Sequence, residues 1–444
     1  VTPRAFMDEP GRASHAYAFL ALLVFNAMPF IVGDQPQGVE NLNPAEALKA
    51  VSTSGDATKQ LILAGIYGSA MLLLLRMPFR LIGYLGVPTL LLTGWCAASA
   101  LWSVDPGISI RRVVALLGVI ALGSYLALRF ELRRMLPLML AVALPILLGS
   151  ILLAGAMPSL GLDAEGRMRG VYAHKNHFGA FAALSLLVAV ALLQAGGGSR
   201  RVRAAAWLLL PLAVGCLVAA RSTSVLPVLF AALTALALAR AVRSASPGTL
   251  AWIPFATGLG LVLIGLAVSN SGAIAELLGK DADASGRTLV WEFALRMIAV
   301  RPWLGYGFEA FWAGGNSPGA VFWATTHLGV PHAHNGYVQL ALNAGVIGLG
   351  LFLLVLAVQA AKLAWLLRHS ADRLTPFCAG FLAFFLVYNL SESLMWVGNE
   401  FLPLIFVYLV LRLNIAIRQQ AEAAAALRPG PQLDFPLAPL GSRP

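Results

Sequence analysis

Charge is what this sequence has least of. Asp, Glu, Lys and Arg make up 11% of its 444 residues, where a soluble domain carries roughly 25%. That deficit excludes a water-soluble globular chain, because too little charged surface exists to solvate a body of this size. Acids are the scarcer half, 20 against 31 Lys and Arg, which leaves a formal net charge of +11. The surplus is not gathered into a basic patch. It is scattered singly and in pairs between apolar runs, a pattern of topology signals and headgroup contacts rather than of nucleic-acid binding. Cysteine is nearly missing too. Cys96, Cys216 and Cys378 all fall inside apolar segments, which implies packing residues and no disulfide or metal framework.

What fills the chain instead is hydrophobic sequence, 59% of the residues, with a mean hydropathy of +0.79. Runs long enough to cross a bilayer recur along its length, so the expected fold is an all-α polytopic membrane protein with about twelve transmembrane helices. The first run covers about Ala16 to Val32 and reads as a retained span, not a cleaved signal. The second ends at Arg76, the third near Trp102, the fourth at Arg129 and the fifth near Met157. The sixth starts at His177, the seventh rises to Ala220, and the eighth leaves from Arg221-Ser-Thr-Ser. The ninth ends near Asn270 and the tenth follows His334. The eleventh and twelfth form a hairpin around MWVGNE, the eleventh carrying Glu392. Residues 1–426 are thus expected to form one membrane domain. The Pro-rich stretch 427–444 reads as a disordered tail.

Orientation follows from the short basic turns. Counting loops alternately, one side holds Arg76, Arg80, Arg129, Arg133, Arg134, Arg200, Arg201, Arg203, Arg240, Arg243, Arg368 and Arg373. The positive-inside rule puts that side, and the tail with it, in the cytoplasm. The long loop of about residues 271–335 then faces out, with short helices in it. Thr288 to Val300 suits a surface helix with Leu289, Phe293 and Met297 on one face, anchored by Trp291 and Trp303.

The outward side should be poor in cations, yet it carries Arg111, Arg112, Arg167, Arg169, Lys175, Arg221, Arg287, Arg296 and Arg301. Guanidinium is a planar fork that matches phosphate oxygens, so a multivalent anion such as a diphosphate is one explanation. Lipid headgroups, or ion pairs with Asp163, Glu165, Glu292 and Glu309, are the other. Arg221 lies at a membrane edge, where an unpaired charge is costly; a phosphate or Glu392 is its expected partner. PHAHNGY sets His332 and His334 two residues apart beside Asn335. The pair could bind metal, but with no third ligand nearby zinc is not expected. A near-neutral imidazole could instead deprotonate a hydroxyl, or simply cap a helix. Asp281 and Asp283 mimic the metal-binding acids of soluble glycosyltransferases, a spacing common by chance. Tyr172-Ala-His174-Lys175-Asn176-His177 opens the sixth span as either a site lining or a structural cap.

Taken in order, Arg221-Ser-Thr, Gly286-Arg287-Thr, Arg301-Pro-Trp-Leu-Gly305-Tyr-Gly307 and His332-Ala-His334-Asn335-Gly336, followed by a span with Gly345 and Gly348, resemble the O-antigen ligase and polymerase superfamily. The likeness runs from about Trp102 to Glu392. The stretch Gly170 to Gly179 is similar to exopolysaccharide polymerases of the succinoglycan type. The resemblance implies a C-type membrane glycosyltransferase in the bacterial inner membrane, with its site facing the periplasm and no metal or other cofactor. It implies an undecaprenyl-diphosphate-linked oligosaccharide as donor. The acceptor glycan would be either a lipid-linked chain, making a polymerase, or lipid A core, making a ligase; the His-Lys-Asn stretch favours the polymerase. Transfer would invert the anomeric carbon. Arg221 and Arg287 match the family's diphosphate-binding arginines, and His334 its acceptor-activating histidine. Arg301 and Lys175 are expected to assist at the diphosphate. His332, Asn335, His174, Arg169 and Arg296 are expected to line the site. A flippase or transporter of lipid-linked sugars would also want outward arginines, but needs no general base.

Overall fold

The computed structural model describes residues 10–31, 57–75, 83–196, 198–244, 286–313, 317–326 and 328–426. The expected ninth span, the loop holding Asp34, Glu40 and Glu46, the turn with Arg76 and Arg80, the Asp281/Asp283 pair and the tail lie outside these residues. In chain order the helices are α1 (Arg12–Ile31), α2 (Ala57–Leu74), α3 (Val87–Ala98), α4 (Pro106–Arg129), α5 (Leu132–Ala156), α6 (Lys175–Ala195), α7 (Arg200–Ala220), α8 (Val225–Ser244), α9 (Arg287–Val300), α10 (Pro318–Thr326), α11 (Gly336–His369), α12 (Thr375–Tyr388) and α13 (Phe401–Ala426). Nine of these are long and apolar enough to cross a membrane by length and composition. Among the described residues extended pairing is limited to one isolated bridge, Leu162 to Met168. The protein is all-α and polytopic.

Helix starts follow from their caps. Asp105 Oδ1 accepts the Ile108 N–H at 3.0 Å ahead of Pro106 in α4. Ser199 Oγ accepts from Val202 N–H at 3.3 Å at the start of α7. Each satisfies an N–H that the helix itself cannot. α6 and α13 are the most enclosed spans, and α2 and α7 the most exposed. Outward-facing Leu61, Leu72, Trp207, Leu208 and Val218 are the surface such helices offer to lipid.

Two expected spans are short. α3 has 12 residues before a 3-10 turn at Ser99–Leu101. α12 has 14, or about 21 Å at 1.5 Å per residue, against a hydrocarbon core of about 30 Å. Irregular chain follows α12 from 389 to 400. Such backbone survives near lipid only when protein surrounds it, and Asn389, Glu392, Ser393 and Trp396 are all buried. Glu392 therefore sits in this loop, not in the eleventh span where the hydropathy reading places it.

α11 is 34 residues long and breaks at Gly345, with φ 68° and ψ −177°. The turn 301–307 fills the break. Tyr306 N–H donates to Leu342 O at 2.8 Å and Gly307 N–H to Asn343 O at 3.1 Å, while Val346 N–H donates to Pro302 O at 2.8 Å. Trp95 Nε1 donates to Ala344 O at 2.8 Å. The backbone groups freed by the break are thus paired again. This is the structural use of Arg301-Pro-Trp-Leu-Gly305-Tyr-Gly307: it lets the first two turns of α11 take their own direction.

α9 exists as expected, but with a rotated face. Val290 and Ala294 are buried, Trp291, Phe293 and Met297 pack beside them, and Leu289 points outward. The reason is a small second core, built with Tyr306, Phe311, Trp312, Phe322 and Trp323. Its aromatic side chains pull the helix round by about one position.

Candidate functional site

The loop before α11 is held almost atom by atom. Trp323 Nε1 donates to Val330 O at 2.8 Å and Trp291 Nε1 to Ala333 O at 2.9 Å. Ala333 N–H donates to Gln339 Oε1 at 2.9 Å, and Asn335 N–H to Ser393 Oγ at 3.1 Å. Gly336 N–H donates to Asn389 O at 2.7 Å. Asn335 caps α11, its Oδ1 accepting from Tyr337 N–H at 3.0 Å and Val338 N–H at 3.1 Å. Asn335, expected as site lining, is thus occupied as a cap. The result is a fixed backbone from which His334, at φ 50°, projects its ring.

His334 and His332 lie with ring centroids 4.2 Å apart. His334 Nδ1 is buried without a hydrogen-bond partner and stands 3.9 Å from Glu392 Oε2. Glu392 in turn is oriented. Its Oε1 accepts from Asn176 Nδ2 at 2.9 Å, and Asn176 Oδ1 accepts from Ser222 Oγ at 2.9 Å. Tyr388 O–H donates to Asn176 O at 3.3 Å. One network therefore joins the loop before α11, the loop after α12, the start of α6 and the residue after Arg221. Asn176 and Ser222 were legible only as neighbours of His174 and Arg221; nothing in the sequence pairs either with Glu392.

Burial, first, and then the Arg287 guanidinium, His174 and His177 lower the His334 imidazole from 6.5 to about 3. His332 is lowered to about 3 by burial, then by His334, with Glu392 acting in the opposite sense and His177 and Arg287 adding to the lowering. Both rings are neutral at physiological pH. The influence of Arg287 on both places its charge within electrostatic reach of them, at the first residue of α9. With the His334 proton on Nδ1 toward Glu392, Nε2 keeps its lone pair and can accept a proton.

The cations expected on the outward side divide. Arg167 pairs with Asp163 at 2.6 Å and also with Glu165; Arg296 pairs with Glu292 at 2.5 Å; Arg112 pairs with Glu309 at 3.3 Å. Arg296, expected to line the site, is on an exposed face in that pair. Arg169 donates from Nη2 to Ser159 O at 3.1 Å, its Nε buried without a partner. Arg301 stacks on Tyr306, 5.1 Å from the ring centroid. Lys175 opens α6 beside His174, whose Nδ1 accepts the Asn176 N–H at 3.2 Å. Arg221 and Arg287 differ from these. Among the described residues neither side chain makes a hydrogen bond or ion pair. Arg221 is exposed in a left-handed turn that ends α7. Glu392 is not its partner, because that carboxylate is turned to Asn176 and His334.

A third group does stand by the two histidines. His332, His334 and Glu392 each offer a ligand atom, all within 4.8 Å of one another. The ground for not expecting a metal, the lack of a third ligand, therefore fails: Glu392 arrives from 58 residues further along the chain, where spacing does not reveal it. The donor chemistry is less suited to a cation. His332 Nδ1 accepts the His334 N–H at 3.2 Å, which puts the ring proton on Nε2 and leaves that nitrogen no lone pair.

Residues 179–353 match the family model described as O-antigen ligase. The exopolysaccharide production protein ExoQ of Rhizobium meliloti is 29% identical over 280 residues, 61% of this chain and 64% of that protein. The O-antigen ligase of Pseudomonas aeruginosa is 30% identical over 190 residues, 39% of this chain and 43% of that protein. The match spans less than two thirds of the length of either relative.

Proposed function

The chain belongs to the O-antigen ligase and polymerase superfamily, whose domain it carries over residues 179–353, and from that premise we propose that it is an inverting membrane glycosyltransferase of polysaccharide synthesis. Its donor is a glycan on undecaprenyl diphosphate, presented at the periplasmic face of the inner membrane. Its acceptor is a hydroxyl of a second lipid-linked chain, so that repeat units polymerise. One observation carries this reading: His334 Nδ1 stands 3.9 Å from the buried carboxylate of Glu392, on a ring that the Arg287 charge also acts on.

In the reaction the acceptor oxygen bonds to the anomeric carbon as the bond from that carbon to the phosphate oxygen breaks. The acceptor proton passes to His334 Nε2, and Glu392 stabilises the imidazolium that forms. The diphosphate leaves with the electron pair. Arg287 and Arg221, whose donors have no partner among the described residues, bind it and offset its charge; Lys175 adds a cation nearby. A base at about 3 has little drive to take a proton. An anionic donor on Arg287 removes part of what holds it there, so donor binding itself raises the basicity of His334. The proposed mechanism uses no metal, because His332 has no free lone pair for one and Arg287 repels a cation from the pair.

A ligase that delivers the glycan to lipid A core is the second reading, favoured by the description of the family model. The purified protein with a lipid-diphosphate glycan separates the two. A ladder of lengthening products supports the polymerase; a single product on added lipid A core overturns it.

A further inference from the structure

At the end of the bundle away from His334 lies a cavity of about 350 Å³, bounded by the start of α5, the end of α11, the start of α12 and the last turns of α13. Ligand sites run from roughly 300 to 1,000 Å³. Its charged lining is Arg412, Glu131 and Asp372; Glu131 also pairs with the exposed Arg133 at 3.2 Å, and Asp372 Oδ1 accepts from Leu374 N–H at 3.0 Å. Leu366 and Leu413 add apolar wall.

Arg412 is the unusual member. It is only 8% exposed and sits within a helix long and apolar enough to cross the membrane, where a charge is costly and demands a partner. Its Nη1 donates to Ala127 O at 3.1 Å. Among the described residues its side chain makes no other hydrogen bond and no ion pair. A guanidinium has five donors, so the cavity is where the rest must find acceptors. Arg368 and Arg373 stand at the turn between α11 and α12, and Arg240 and Arg243 close the neighbouring α8, where Arg243 donates to Ser370 O at 2.9 Å and to Asp372 O. Such a belt of cations marks headgroup level.

We propose that this cavity holds the headgroup of a zwitterionic aminophospholipid, with its phosphate on Arg412 and its ammonium between Glu131 and Asp372. A purely anionic headgroup would face two carboxylates, and a purely cationic one a buried guanidinium. A group carrying both signs, a few bonds apart, matches each charge with its opposite.

The test is native mass spectrometry of the full chain released from nanodiscs holding phosphatidylethanolamine and phosphatidylglycerol in equal amounts. One retained phosphatidylethanolamine is expected, preferred over phosphatidylglycerol by roughly tenfold, the scale of one charge-assisted hydrogen bond. Arg412→Gln should abolish retention. Glu131→Gln, at a side chain 45% exposed on the rim, should erase the preference without disturbing the fold, and it decides the matter if Arg412→Gln does not fold. Equal retention of the two lipids, or unchanged selectivity in Glu131→Gln, overturns the proposal. In a parallel arm soluble O-phosphoethanolamine is offered alone. Weak or no retention supports a lipid as the source, and retention equal to that of the lipid overturns it.

Discussion

Replacing Gly345 by alanine should straighten α11 at the cost of the site. The glycine stands at φ 68° and ψ −177°, a region open in practice only to glycine and costing another residue about 1–3 kcal/mol. The added Cβ would also fall well inside contact distance of the Trp303 carbonyl and 2.7 Å from Leu304 N. If the turn 301–307 is pushed out to make room, three hydrogen bonds go with it, those to Leu342 O and Asn343 O and the one from Val346 N–H. Each is worth about 1 kcal/mol. Strain and lost bonds together amount to about 3 kcal/mol or more, a large share of the 5–15 kcal/mol typical of a folded domain. The first turns of α11 hold Asn335 and, through it, His334, and a misplacement of about 1 Å can cost a hundredfold in rate. Gly350→Ala in the same helix is the control, since a Cβ there meets nothing within 4 Å and should gain about 0.5–1 kcal/mol. Thermal unfolding in detergent and single-turnover product formation would be read for both. Equal melting temperatures and equal rates would refute the claim that the break positions the site.

Three further outcomes follow from the site. His332 and His334 have folded-state pKa values near 3, below the ordinary 6.5, so between these values the folded chain binds fewer protons than the unfolded one. Stability should therefore fall as pH drops from about 6.5 toward about 3, and a His332→Gln/His334→Gln protein should lose part of that slope in melts across this range. Transfer should survive EDTA; loss on chelation, restored by a divalent ion, would instead make His334 and Glu392 metal ligands. A cysteine at Leu295, 57% exposed on α9, should react from the periplasmic side of oriented inner-membrane vesicles against a low background, because Cys96, Cys216 and Cys378 are buried. Labelling from the cytoplasmic side alone would invert the topology.

The membrane spans were legible because hydropathy is a local property: α4, α5, α7 and α11 begin and end within a few residues of where apolar runs meet Arg129, Met157, Ala220 and His334. The short α12 was not, because its end is set by burial of the 389–400 loop against other helices. His334 and Arg287 could be singled out from polar residues crowded into one long loop. Glu392 could be seen but not placed, since its partners Asn176 and His334 lie on separate elements. The pairing of Arg167, Arg296 and Arg112 with nearby acids was one of two readings, and only side-chain geometry chose between them. The role of the turn 301–307 was hidden because the helix break it fills is 40 residues away at Gly345.

The proposed mechanism divides labour between Arg287, as the donor-diphosphate ligand, and His334, as the acceptor of the incoming hydroxyl's proton. It is tested most directly by measuring donor affinity and the rate from the bound complex in His334→Ala beside Arg287→Lys. A point charge cannot reproduce the guanidinium fork, so Arg287→Lys should weaken donor binding by roughly tenfold or more, the worth of a charged hydrogen bond. His334→Ala should bind donor as before and turn over about a hundredfold or more slowly, the usual scale for a lost general base. If His334→Ala instead loses donor affinity and keeps its bound-state rate, His334 is a phosphate ligand and the base lies elsewhere.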